Sequence, residues 1–117
     1  QEVFWNLSKN AFDAMKQDGG VLTVEANVID KTQLPAQAMA SLSSRYCRIR
    51  FRDTGCGMDE ETLGRIFAAY YTTKPAGEGS GLGLSIVYDI VTAMGGDILA
   101  ASEKGKGTEF TLFLPLA

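Results

Sequence analysis

The sequence predicts an α+β fold: a two-layer α/β sandwich with two or three helices on one face of a mixed, mainly antiparallel sheet. Three observations lead there. Residues 2–17 and 82–94 repeat their apolar positions at helical spacing, whereas 21–28, 46–52, 97–102 and 108–114 alternate with a period of two. The strands come in hairpin-like pairs with the helices set apart from them, which is the α+β layer solution. At 117 residues and 45% hydrophobic content, the chain fits one compact domain over 1–117 with a real core.

In the opening helix, at about 100° per residue, Val3, Phe4, Leu7, Ala11, Ala14 and Met15 fall on one face. Glu2, Asn6, Asn10 and Asp13 form a polar stripe on another. Gly19 and Gly20 end this helix, and the first strand follows over 21–28. Residues 31–44 are a polar, Ala- and Ser-rich connection around Pro35. The second strand, 46–52, sends its arginines to solvent and delivers Asp53 to a strand end. Asp59, Glu60 and Glu61 start a short helix reaching Ile66 and Phe67, with acidic residues in the first turn as the helix dipole prefers. A lid over 68–80, rich in glycine and small residues, leads to the second long helix. A hairpin over 103–107 joins the last two strands.

Composition narrows the function. A net charge of −3 with scattered lysines argues against a nucleic-acid groove, yet is compatible with a triphosphate held by local amides and a cation. No stretch reaches membrane-spanning length and no charged-then-apolar leader precedes Gln1, so any targeting signal is expected outside this chain. Cys47 and Cys56 have no metal-ligand spacing and read as unpaired thiols.

The chemistry lies in two glycine loops and one helix face. Asp53-Thr54-Gly55-Cys56-Gly57-Met58 sets a carboxylate at a strand end, able to accept a hydrogen bond from an exocyclic amine such as adenine's, before glycines that let backbone approach a flat ring. Gly79-Ser80-Gly81-Leu82-Gly83-Leu84 opens an apolar helix, so its free N–H groups and the positive end of the helix dipole suit phosphate. Asn6 and Asn10, one turn apart, can direct amide oxygens at a single hard cation. Mg²⁺ fits, because it accepts few protein ligands and takes the rest of its shell from water and phosphate. Alone, an Asn-x-x-x-Asn pair is ordinarily a solvated helix face; two glycine loops beside it change its meaning.

These residues resemble the ATP-binding catalytic domain of sensor histidine kinases, within the superfamily that includes gyrase, heat-shock chaperone ATPases and mismatch-repair ATPases. Residues 6–14 look like its N box, 53–57 its first glycine box, 67–74 its F box and 77–84 its second glycine box. Gly105-Lys106-Gly107-Thr108-Glu109-Phe110 matches the Gly-Thr-x-Phe entry to the last strand. The likeness runs the length of the chain in family order. Tyr71-Thr72-Thr73-Lys74 and the unbroken Gly-Leu-Gly-Leu look most like nitrogen-regulation and sporulation kinases.

The resemblance implies a Bergerat ATP-binding fold and a site for Mg²⁺-ATP. It implies Asn6 and Asn10 at the metal, with Asn6, Asn10 and Lys74 in the transfer machinery. It also implies that the nucleotide meets Asn10, Asp13, Asp53, Gly55, Gly57, Met58, Phe67, Thr72, Thr73, Lys74, Gly79, Ser80, Gly81, Leu82, Gly83, Leu84 and Thr108. The F box departs from Phe-Glu-Pro-Phe, reading Phe67-Ala68-Ala69-Tyr70, and Ala14 stands where some relatives stack an aromatic on adenine. The superfamily's ATPases place a general-base glutamate where this chain has Asn6, and an amide cannot take a proton at neutral pH. Phosphoryl transfer to a protein is therefore expected over hydrolysis. With no histidine in the sequence, the accepting histidine is expected on a separate dimeric helical domain, with a response regulator downstream and a cytoplasmic location. A chaperone-type ATPase or an anti-sigma-type serine kinase is the alternative.

Overall fold

The computed structural model describes residues 2–16, 19–35, 44–67 and 83–116. Their order is α1 (Glu2–Ala14), β1 (Leu22–Asp30), a 3₁₀ turn (Lys31–Gln33), β2 (Arg45–Asp53), α2 (Glu60–Leu63), α3 (Gly83–Ala93), β3 (Asp97–Glu103) and β4 (Gly107–Pro115). The strands form one sheet in the order β1-β2-β4-β3, and each of its three pairings is antiparallel. The elements fall where the periodicity puts them, within a few residues at each end.

Local chemistry sets several boundaries. The Asp59 side chain accepts the Thr62 N–H at 2.8 Å and so caps α2, which holds that carboxyl below its ordinary range. Helix α3 stops where the Gly96 N–H bonds the Val91 carbonyl at 3.0 Å, a six-residue closure over Gly95. The Asp30 N–H bonds the Gln33 side chain at 2.9 Å, turning the chain sharply out of β1.

Pairing puts Phe51, Phe110, Ile98 and Leu112 on one face of the sheet. There they pack with Leu7 of α1 and with Val87 and Val91 of α3, and Ile66 closes the cluster. Each such side chain, fully buried, contributes about 1.5–3 kcal/mol of transfer free energy. On the opposite face a smaller cluster joins Ile29, Tyr46 and Phe113, covered by Leu34 from the β1–β2 connection and by Leu99. Arg48, Arg50 and Arg52 of β2 share that face: Arg52 bonds Glu109 at 2.9 Å, and Arg48 bonds Asn27 at 3.3 Å.

One expectation for α1 needs correction. Phe4, assigned to the core face, is 56% exposed, although its ring meets the edge of Phe51 at 5.5 Å between centroids. Helix α1 packs on β1, β2 and β4, and this end of its apolar face extends beyond the buried cluster. Val24 and Val28 of the edge strand β1 are exposed as well.

Candidate functional site

The site grows from one row across the sheet. Leu22 pairs with Asp53, Asp53 with Thr108, and Thr108 with Ser102, so these four share a level on the helix-bearing face. Asp53 is 4% exposed and Thr108 5%. The Asp53 carboxylate accepts the Gly55 N–H at 2.8 Å and also a backbone N–H from Thr108. Burial pushes this carboxyl above its usual range, while the two N–H bonds pull the other way. A carboxylate buried at that cost, at the end of a strand, is a hydrogen-bond acceptor held ready for a donor.

The glycine loop after Asp53 is pinned from both sides. Against α1, the Cys56 N–H bonds the Ala14 carbonyl at 3.1 Å, and a Cβ on Gly55 would come within 2.7 Å of the Ala14 Cβ. Ala14 is small because loop backbone lies directly against it. Against the β3–β4 turn, the Gly105 N–H bonds the Cys56 carbonyl at 2.7 Å. Gly57 has φ +69°, and a Cβ there would overlap the Glu103 carbonyl oxygen, so conformation and space both require glycine. The Met58 N–H then bonds the Ser102 hydroxyl at 2.8 Å. Thr54 ties the loop to the start of β1, its hydroxyl accepting the Val21 N–H at 3.0 Å.

Helix α1 brings its polar stripe to this loop. Residues four apart on a helix are neighbours, so Asn10 lies one turn from the Ala14–Gly55 contact and Asn6 a turn further on. Asn6, Asn10 and Asp13 are half-buried, and Asp13 faces Lys9 at 3.5 Å. Phe67 packs at the far side of the helix face, 5.5 Å from Tyr88 and 6.3 Å from Phe110 between ring centroids. Gly83 begins α3, and Leu84 packs against the core.

The structure thus gathers Asp53, Gly55, Gly57, Met58 and Thr108 about one strand end and docks the Asn10 helix against them. Thr72, Thr73, Lys74, Gly79, Ser80, Gly81 and Leu82 lie outside the described residues. Sequence reasoning missed Ser102 and Thr54. Ser102 had a signal, because a hairpin closing between Glu103 and Gly107 places it opposite Thr108.

Comparison with known proteins agrees with this geometry. The family model of histidine kinase-, DNA gyrase B- and HSP90-like ATPases matches residues 1–117. The chain belongs to this family. Similar curated proteins include the sensor kinase CckA of Brucella abortus (strain 2308), 41% identical over 98% of this chain and 12% of the relative. The sensor histidine kinase ZraS of Escherichia coli (strain K12) is 41% identical over 98% of this chain and 21% of its own length. Sporulation kinase E of Bacillus subtilis (strain 168) is 36% identical over 99% and 14%. The chain thus spans about an eighth to a fifth of these relatives. Among solved structures, the mycobacterial sensor histidine kinase MprB shares the fold at a TM-score of 0.74 and 22% identity, covering 97% of this chain and 70% of that one. A crystal structure of full-length ShkA in complex with AMPPNP matches at a TM-score of 0.69 and 31% identity, over 99% of this chain and 21% of that one.

Proposed function

We propose that this domain binds Mg²⁺-ATP and donates the γ-phosphate to a histidine on a separate dimerisation domain of the same two-component sensor kinase. That domain then relays it to an aspartate of a response regulator. The observation that carries the reading is the buried Asp53 carboxylate, held by the Gly55 and Thr108 N–H groups within reach of the asparagine-bearing helix. An acceptor in that place takes the adenine amine and repels the carbonyl of guanine.

Asn6 and Asn10 suit Mg²⁺ by the chemistry of their donors: two neutral amide oxygens on one half-buried helix face. When bound, Mg²⁺ neutralises charge on the phosphates. Gly79, Gly81 and Gly83 would offer backbone N–H groups to those phosphates, and Lys74 a cation. Ser80, Thr72 and Thr73 would complete the polar lining of that loop.

In the transfer, the P–O bond to the γ-phosphorus would break, a P–N bond to imidazole would form, ADP would leave, and the imidazole N–H proton would pass to solvent. Asn6 supports this course over hydrolysis, having no basic oxygen to activate water. The acceptor belongs to another domain because this sequence has no histidine, and residues 1–117 act as the single catalytic unit of a longer, cytoplasm-facing kinase. No described helix is long and apolar enough to cross a membrane, and the sensor-kinase relatives support the two-component reading.

Radiolabelled ATP tests the proposal. The chain alone should release almost no phosphate over hours, whereas adding the cognate histidine-bearing helical domain should give acid-labile, base-stable label on that partner. Asp53→Asn should weaken ATP by about 1–3 kcal/mol, the scale of a hydrogen bond to a charged group. Asn10→Ala should lose the Mg²⁺-dependent part of binding. Rapid phosphate release by the chain alone, or acid-stable label on the partner, refutes the proposal.

A further inference from the structure

Ser102 lies at the outer end of the row that holds Asp53, on β3 beside the hairpin turn. Its hydroxyl is within hydrogen-bond distance of three groups: the Met58 N–H at 2.8 Å, the Gly107 carbonyl at 2.9 Å and the Thr108 hydroxyl at 2.8 Å. A serine oxygen has one proton to donate and two lone pairs to accept with. Gly107 can only accept and the Met58 N–H can only donate, so the Ser102 proton goes to Gly107 and the Thr108 hydroxyl donates to Ser102. Every hydrogen-bonding position of Ser102 is then used, and each joins a different part of the site: the glycine loop, the first residue of β4, and the residue whose N–H bonds Asp53.

From this we infer that Ser102 is a positioning residue for the base-binding carboxylate, and so sets selectivity for a 6-aminopurine without touching the nucleotide. The inference rests on the reading of Asp53 as the adenine acceptor. Residues 54–58 belong to no helix or strand and take their shape from a few anchors. Three anchors are backbone groups, at Val21, Ala14 and Gly105; Ser102 holds the loop's last residue through a side chain. Replacing it with alanine strands the Met58 N–H and frees the start of β4, where Thr108 meets Asp53. The carboxylate then keeps its charge but loses its fixed direction.

Calorimetric titration of the chain with ATP and with purine riboside triphosphate, which lacks only the 6-amine, tests this. The parent should prefer ATP by tenfold or more; equal affinities there would overturn the Asp53 reading itself. With that preference established, Ser102→Ala should lose about tenfold for ATP and less than twofold for the analogue, so that the ratio collapses. Ser102→Thr, which keeps the hydroxyl, should restore the parental ratio. In Asp53→Asn, adding Ser102→Ala should change ATP affinity by less than twofold. Equal losses for both ligands in Ser102→Ala, or an unchanged ratio, would overturn the inference. If Ser102→Ala does not fold, Ser102→Cys replaces it, since a thiol of similar shape is a poor acceptor; its ratio should fall below the parent's, and a parental ratio would overturn the inference.

Discussion

Substituting alanine for Gly107 and for Gly105 separates two costs that glycine avoids. Both residues have positive φ, +116° and +86°, so each alanine is strained by conformation alone. A lone residue in such a region costs about 1–3 kcal/mol. Around Gly105 nothing lies within 4 Å of the added methyl, so that variant should lose about 1 kcal/mol. At Gly107 the methyl would overlap the Asp53 carbonyl oxygen and lie 3.0 Å from its carbon and 3.1 Å from the Thr54 Cα. Carbon atoms at contact sit about 3.5–4.0 Å apart, and all three neighbours are backbone, so β4 must retreat from β2. Retreat also weakens the Thr108 N–H bond to Asp53, worth about 1 kcal/mol. Gly107→Ala should therefore lose about 3–4 kcal/mol in all. Urea unfolding followed by far-ultraviolet circular dichroism is the assay, since the single tryptophan, Trp5, is 65% exposed and reports weakly on packing. With a slope of about 2 kcal/mol per molar urea, the two midpoints should differ by roughly 1 M. Coincident midpoints would refute the steric argument.

Two further outcomes follow from burial. Leu7 is 1% exposed and Trp5 65%, so Leu7→Ala should cost about 2–5 kcal/mol in the same unfolding assay and Trp5→Ala less than about 0.5; similar losses would mean that α1 is docked on another face. Asp53 has its carboxyl raised by burial, so its protonated form favours folding: that contribution is complete below the ordinary carboxylate pKa and lost as pH rises through the folded value. The nucleotide-free Asp53→Asn protein should therefore gain stability relative to the parent as pH goes from 3 to 7, and a difference that is flat or falls with pH contradicts this.

Much of this architecture can be read from the residues. Alternation places β2 and the final hairpin, and the α1 periodicity puts Leu7 and Ala11 inside. Asp53 stands out because a carboxylate ending an alternating strand before two glycines has few other uses. Position relative to neighbours is less legible. The helical wheel assigned Phe4 to the core because it measures direction around one axis and not how far along that axis the buried cluster reaches. Tyr46 is 1% exposed on the face that bears the arginines, since Leu34 folds back over that end of the sheet; a period of two cannot foresee cover from a connection. Ser102 went unnoticed for a similar reason. Its importance comes from the register opposite Thr108, a relation between strands. Residues 68–82, which carry the lid and most of the second glycine loop, fall outside what the structure describes.

Strand order has a consequence for how the site comes into being. β4 follows the other strands in sequence yet lies between β2 and β3, and roughly half the chain separates Asp53 from Thr108. Contacts between such distant residues form late, because the intervening chain must close first. During synthesis the β1–β2 hairpin can emerge with its glycine loop while Asp53 still ends in water, with no β4 neighbour and no ordinary reason for its acidity to change. Insertion of β4 at once buries the carboxylate, supplies its second N–H bond and clamps the loop. On the proposed reading of Asp53, nucleotide recognition would then arise in a single step with completion of the sheet, and a nascent chain that has not reached β4 would not bind ATP.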